Sequence, residues 1–437
     1  MPGKRNKYDS GSVIKLRTTI IPKLLGNINN LLRIDSLYFI KGGMYNFFQQ
    51  VVGILIGLLL TYLLGHFISQ KVYGEYNLLL SYISMLAFLG LPGVDSALIQ
   101  SASKGYDSSY IRSFQLKFKF SFIGIVVLLF ISLFYISKNL SFSYGLIVCA
   151  LFFPFLNSYN IYAAFLTAKR KFAASSVIAS ISSIAFFVIM SLSIFWRPNT
   201  LGIITAHLLG LSIPSIFAFI YSKRYVQKST SIDTEVEKYG SFLSIVSILP
   251  WISGNIGNVI LASLLGPEVL AIYIVANGLL AEVQKNFIVF YKPISAKLAE
   301  QSRKEHLNTL RLHGWKFLGI GGLLAVGMWL ALPLFISFFY SYSYQPAIRY
   351  GNLLSLSLLI LPISWVLSDI LLYEKKYVSQ LFLNTLPHIT KIVLYIILIP
   401  LWKVEGLIVA FLIERVISFL IPIAALSRIG ISKGVSE

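Results

Sequence analysis

Polarity along the chain alternates between long apolar stretches and short polar breaks. A spanning helix needs about 20 mostly apolar residues to cross a hydrocarbon core roughly 30 Å thick. Twelve stretches meet that length, at 43–66, 76–100, 118–137, 143–168, 173–196, 200–222, 240–264, 269–292, 316–339, 350–373, 377–401 and 404–426. The pattern predicts an all-α polytopic membrane protein with twelve transmembrane helices.

Several spans carry polar residues on one helical face. In the eleventh, Asn384, His388, Lys391 and Tyr395 recur at helical spacing and stack on one side. The seventh has Ser244, Ser247, Trp251, Asn255 and Asn258 on one face, and the first has Asn46, Gln50, Gly53 and Gly57. Small and hydroxylated stripes join neighbouring helices in membranes, so helix packing is the first reading for Ser244, Ser247 and the first-span face. Glu282 and Lys285 lie three residues apart in the eighth span and can pair across a turn. Arg415 follows Glu414 in the twelfth span, and adjacent residues point about 100° apart, which predicts that the two do not face one cavity. Asp95 and Asp369 sit near span ends, where solvation or helix packing accounts for them. Intramembrane Lys285, Lys391 and Arg415 are costly to insert and therefore read as functional candidates.

Composition agrees with the pattern: 56% of residues are hydrophobic and only 12% charged, about half the charge of a typical soluble domain. The net charge of +20 changes the picture more. With a cytosolic N-terminus, 29 of the 37 Lys and Arg fall at or beyond cytosolic span ends, five fall in outer loops, and three remain inside spans. This is the positive-inside bias of a twelve-span protein with both termini cytosolic, placed in the cytoplasmic membrane, and it removes the need for a nucleic-acid partner. The first 41 residues carry eight basic residues without a cleavage site, and Ile14–Ile28 reads either as a helix on the inner leaflet or as a flexible basic tail.

The two halves echo each other. Phe165–Phe172 (FLTAKRKF) matches Ile370–Tyr377 (ILLYEKKY) at an offset of 205, and Gly202–Ala206 matches Gly406–Ala410 at 204. An offset of six spans preserves orientation, which predicts two parallel six-helix bundles around a central cavity. The chain then divides into a basic segment 1–41, a bundle 42–222, a linker 223–239, a second bundle 240–427 and a tail 428–437.

Enzymatic chemistry finds no foothold. The sequence has no phosphate-binding G-x-x-x-x-G-K-[ST] loop, no D-x-D and no long outer loop. The five histidines show no metal-ligand spacing, and His306 and His313 read as solvated residues of a 293–315 cytosolic connection. The single cysteine, Cys149, excludes a disulfide framework. No catalytic residue, resident cofactor or metal is expected.

Tyr73–Gly105 (YGEYNLLLSYISMLAFLGLPGVDSALIQSASKG) resembles the second-span region of the polysaccharide transporter family, which contains flippases for O-antigen and related lipid-linked oligosaccharides. Lys41–Gly43, Lys169–Phe172 and Ala271–Asn277 (AIYIVAN) are also similar. The resemblance implies a member of the multidrug/oligosaccharidyl-lipid/polysaccharide exporter (MOP) superfamily, V-shaped and cavity-bearing. It implies a polyprenyl-diphosphate-linked glycan as substrate, with Lys285, Lys391 and Arg415 on the diphosphate and Trp251, Asn255, Asn258, Asn384 and Tyr395 on the glycan. Glu282, Glu414 and His388 are then candidates for coupling to a proton or sodium gradient. Membrane lipids and other polysaccharide-assembly proteins are the expected partners. A drug or metabolite exporter of the same superfamily, or a scaffold for envelope biosynthesis, are the rival readings. The basic bias inside the spans favours an anionic substrate.

Overall fold

Every apolar run becomes helix, because only a helix satisfies its own backbone hydrogen bonds away from water. The computed structural model describes residues 36–227, 233, 235–374 and 377–431. The basic segment 1–35, part of the linker, the 375–376 turn and the tail from 432 lie outside the described residues, and with them the expectation for Ile14–Ile28.

The first half comprises α1 (Ser36–Phe67), α2 (Gln70–Met85), α3 (Gly93–Ser103), α4 (Ser109–Ile136), α5 (Leu140–Tyr159), α6 (Ile161–Ala168), α7 (Phe172–Trp196) and α8 (Thr200–Ser222). The second comprises α9 (Glu235–Val246), α10 (Ile248–Leu265), α11 (Pro267–Glu300), α12 (Arg303–Phe339), α13 (Pro346–Ser355), α14 (Leu361–Tyr373) and α15 (Tyr377–Ile431). Among the described residues nine helices are long and apolar enough to cross a membrane, or ten if α2 and α3, bent by 49°, form one span. The last of the nine holds two arms: Lys403 breaks α15 at φ 53°. A Cβ on Gly406 would fall 2.0 Å from Leu398 O, so the arms fold back on each other with only glycine fitting between them. The outer surface is apolar, with Trp196 84% and Leu323 77% exposed, as lipid-facing side chains must be.

Local chemistry sets where helices begin. Ser69, Asn139 and Asn199 turn their side-chain oxygens onto the amides of Val72, Phe142 and Gly202 and so start α2, α5 and α8. These N-caps mark one end of the molecule, where connections are short. At the opposite, basic end lie Lys104, Lys169, Arg170, Lys171, Lys223 and Arg224. The expected 293–315 connection is instead helical: α11 continues to Glu300, and α12 starts at Arg303 with a Ser302–Glu305 capping box. His306 is accordingly not solvated. It is buried in the first turn of α12, between Leu298 O at 2.8 Å and Glu374 Oε1 at 3.1 Å. His313 is exposed.

The halves meet along two seams. At the basic end α3 packs on α9, where Gly93 N–H donates to buried Ser244 Oγ at 3.0 Å and Arg112 pairs with Glu237. At the short-loop end, Ser341 N–H donates to Gly65 O at 3.2 Å and Gln70 Nε2 to Ser343 O at 2.7 Å. Gly74 permits the closest approach: a Cβ there would lie 1.8 Å from Pro267 O. Between the seams, α1 and α11 diverge.

Candidate functional site: a polar cavity between the halves

The divergence leaves a cavity of about 760 Å³, within the usual range for ligand sites. α1 contributes Asn46, Gln49, Gln50 and Thr61; α11 contributes Glu282, Lys285 and Asn286; Tyr73, Ser183 and Tyr340 complete the polar wall. Tyr340, against the Gly65 seam, stands at the short-loop end. Three lining glycines, Gly53, Gly57 and Gly278, face open space, for a Cβ on any of them would meet nothing within 4 Å. Mid-helix glycine costs roughly 0.5–1 kcal/mol against alanine, and here it serves no packing. It keeps the walls clear.

Toward the basic end the two walls touch through one amide pair: Gln50 Nε2 donates to Asn286 Oδ1 at 2.8 Å. Asn286 Nδ2 in turn donates to Glu282 O at 2.8 Å, which fixes the amide's orientation. Beside it, Lys285 Nζ reaches both carboxylate oxygens of Glu282, at 3.2 and 3.3 Å. The side chains are 72% and 55% exposed, so water reaches them. Glu282 and Lys285 are the charged residues among those that line the cavity. The site can therefore offer amides, hydroxyls and one cation to a polar head group.

The other candidates from the sequence are placed elsewhere. Lys391, buried, has its Nζ 4.0 Å from Glu414 Oε2, and Arg415 Nε lies 3.6 Å from that same oxygen. Glu414 and Arg415 meet although adjacent residues leave the helix about 100° apart, because a long guanidinium arm bends back around its own helix; neither lines the cavity. Phe411 lies between the cations, 5.8 Å from Lys391 Nζ and 4.9 Å from the Arg415 guanidinium. His388 Nδ1 sits 2.8 Å from Ser253 Oγ, and Tyr395 is buried on Gly257. This network joins α10 to both arms of α15, apart from the cavity wall. Asn255 Nδ2 donates to Trp251 O and Asn384 Nδ2 to Gln380 O, each within its own helix. Asn258 Nδ2 bridges the halves to Ser81 Oγ at 3.0 Å.

Of the three cations expected on the diphosphate, then, the structure brings Lys285 alone to the cavity, together with Glu282. The first-span face read as packing serves both ends: Asn46, Gln50, Gly53 and Gly57 all line the cavity, while Asn46 accepts from Ser176 Oγ of α7 at 3.1 Å and Gln50 bonds Asn286 of α11. Gln49, Thr61, Tyr73, Ser183, Asn286 and Tyr340 escaped notice, since single polar residues on apolar helices carry no periodic signal. Among the described residues no group of three His, Cys, Asp or Glu could hold a metal ion.

Solved structures of MOP-superfamily transporters share this fold. An inward-facing multidrug resistance MATE family transporter aligns at 15% identity over 87% of this chain and 96% of its own, with a TM-score of 0.68. The lipid II flippase MurJ, in an inward closed conformation, aligns at 16% identity over 89% and 87%, with a TM-score of 0.60. A MOP superfamily transporter from Pyrococcus furiosus aligns at 17% identity over 89% and 96%, with a TM-score of 0.60. No curated protein matches the sequence. The chain belongs to the family of polysaccharide biosynthesis proteins, whose profile matches residues 39–298, and the resemblance carried by Tyr73–Gly105 is thereby confirmed.

Proposed function

We propose that this protein is a flippase that moves a polyprenyl-diphosphate-linked oligosaccharide, such as an O-antigen or related surface-polysaccharide unit, from the inner to the outer leaflet of the cytoplasmic membrane. The observation that carries the proposal is the cavity itself: polar walls with one lysine, set between two helices whose outer faces are apolar. Met44, Phe47 and Phe48 are exposed beside cavity-lining Asn46 and Gln50. A lipid tail can stay in the bilayer along this edge of α1 while its head group enters between α1 and α11. Lys285 is the phosphate partner, as a mobile point charge suited to a diphosphate. The amides of Asn46, Gln49, Gln50 and Asn286 suit glycan hydroxyls.

With twelve spans and cytosolic termini, the basic end faces the cytosol and the short-loop seam closes the outer side. The cavity is then poised to load from the inner leaflet. Export follows when the Gly65–Ser341 seam parts while the α3–α9 seam at the cytosolic side stays closed. The chain is a transporter and not an enzyme in this reading, with turnover drawn from a proton or sodium gradient and with other polysaccharide-assembly proteins as partners. A deletion strain is expected to strand lipid-linked oligosaccharide at the inner leaflet. Purified protein in proteoliposomes is expected to move it, and Lys285→Ala to abolish movement while expression persists; transport at the wild-type rate by Lys285→Ala would remove the site.

A further inference from the structure

The cavity holds its cation already paired. Glu282 and Lys285 lie on one helix three residues apart, so the pair travels with α11 whichever way the halves move. Neither side chain is buried, and neither bonds to another helix. The pair therefore does not pin α11 to a neighbour, and exposed pairs of this spacing contribute little to stability. Yet its position is the one place in the cavity wall where an anion finds a full positive charge.

We infer that Glu282 is a resident counter-ion: in the empty cavity it occupies the place on Lys285 that the substrate's diphosphate takes, and it swings into the open cavity when that anion arrives. This rests on the flippase reading. Three observations argue for it. Lys285 Nζ meets both oxygens of Glu282, filling the bidentate place a phosphate would use. The open space along Gly53, Gly57 and Gly278 gives a displaced carboxylate somewhere to go. The local charge also balances when the carrier is empty, so the halves can close without burying a bare ammonium, which a low-dielectric interior penalises heavily.

Two consequences follow for selectivity and turnover. A ligand must outcompete a carboxylate on Lys285, which a multiply charged diphosphate does more readily than a monophosphate. The returning empty carrier needs the carboxylate back on Lys285, so Glu282 speeds release and return at the expense of affinity.

The test uses the full-length protein in lipid nanodiscs, with farnesyl diphosphate and farnesyl monophosphate as probes in titration calorimetry. Both side chains are largely exposed, so glutamine at either position leaves the fold intact. Glu282→Gln is expected to bind both probes about two- to fivefold tighter, the equivalent of an exposed pair, and to narrow the preference for the diphosphate. Lys285→Gln is expected to bind the diphosphate roughly tenfold more weakly or worse, the equivalent of a charged hydrogen bond. In proteoliposomes Glu282→Gln is expected to lower KM and kcat together. If Lys285→Gln loses binding while Glu282→Gln binds no tighter than wild type, the counter-ion role is overturned and the flippase reading stands. If the wild type binds neither probe, or Lys285→Gln binds like the wild type, the diphosphate site itself is gone and this inference goes with it.

Discussion

Glu75 shows how a buried carboxylate is held without a cation. It sits on α2, where Asn139 Nδ2 donates to one oxygen at 2.9 Å and Thr200 Oγ1 to the other. Those donors stand at the N-termini of α5 and α8, so two helix dipoles also favour the negative charge. Glu75→Ala removes the acceptor for both and is expected to destabilise the protein by about 1–3 kcal/mol, read as a lowered Tm in detergent. Lys391 is the opposite case, a buried cation whose carboxylate partner is Glu414. Glu414→Ala leaves both Lys391 and the part-buried Arg415 without that carboxylate, at an expected cost of about 3–5 kcal/mol, whereas the double variant Lys391→Met, Glu414→Leu, which also removes the more deeply buried cation, restores part of the loss. Thermal unfolding of both proteins checks this, and a double variant as unstable as the single one would remove the pairing as the cause. The presence of these charges was legible in the sequence. Their partners were not, because Lys391 and Glu414 stand on opposite arms of a hairpin and Asp95 finds its partner, buried Lys117, on another helix.

Helices differ from uninterrupted apolar runs wherever a backbone group fails. The second span breaks between Met85 and Gly93, where Leu91 adopts φ 51° and Pro92 offers no amide hydrogen. The hairpin at Lys403 is the sharper case, with φ 53° and ψ −127° in a non-glycine residue. Lys403→Gly relieves that strain and is expected to raise stability by about 1 kcal/mol, seen as a higher Tm without loss of transport. The FLTAKRKF and ILLYEKKY turns also acquire a structural meaning. Lys169 pairs with buried Asp107 of the α3–α4 connection, and Glu374, at the matching offset of 205, meets His306 of α12. Each half thus fastens its corresponding turn with a polar side-chain contact, through the base Lys169 in one and the acid Glu374 in the other. The sequence match pointed to basic turns, but the acid that neutralises Lys169 lies 62 residues away in the chain.

At the scale of the molecule, the proposed function depends on two seams closing in turn around one cavity. Gln50 and Asn286 touch across it, so a short bifunctional methanethiosulfonate joining the two cysteines of the double variant Gln50→Cys, Asn286→Cys is expected to stop transport, with reductant restoring it. Cys149 is fully buried and leaves the background of such an experiment silent. The same background serves topology: a cysteine in place of exposed Arg170, at the basic end, is expected to escape an impermeant reagent in intact cells. Labelling there would reverse the membrane orientation and the loading side with it.

Hydropathy and charge sum over twenty residues of contiguous chain, so the sequence by itself determined the helices, their membrane setting, the family and the concentration of basic residues at one end. Which polar face meets water is a different kind of quantity. Asn46 and Gln50 each bond a neighbouring helix, yet with Gly53 and Gly57, which face open space, they line a cavity. Lys391 and Arg415 converge on the carboxylate of Glu414, apart from the cavity wall. The presence or absence of a partner from a distant part of the chain separates a packing face from a binding face, and only the tertiary structure decides it.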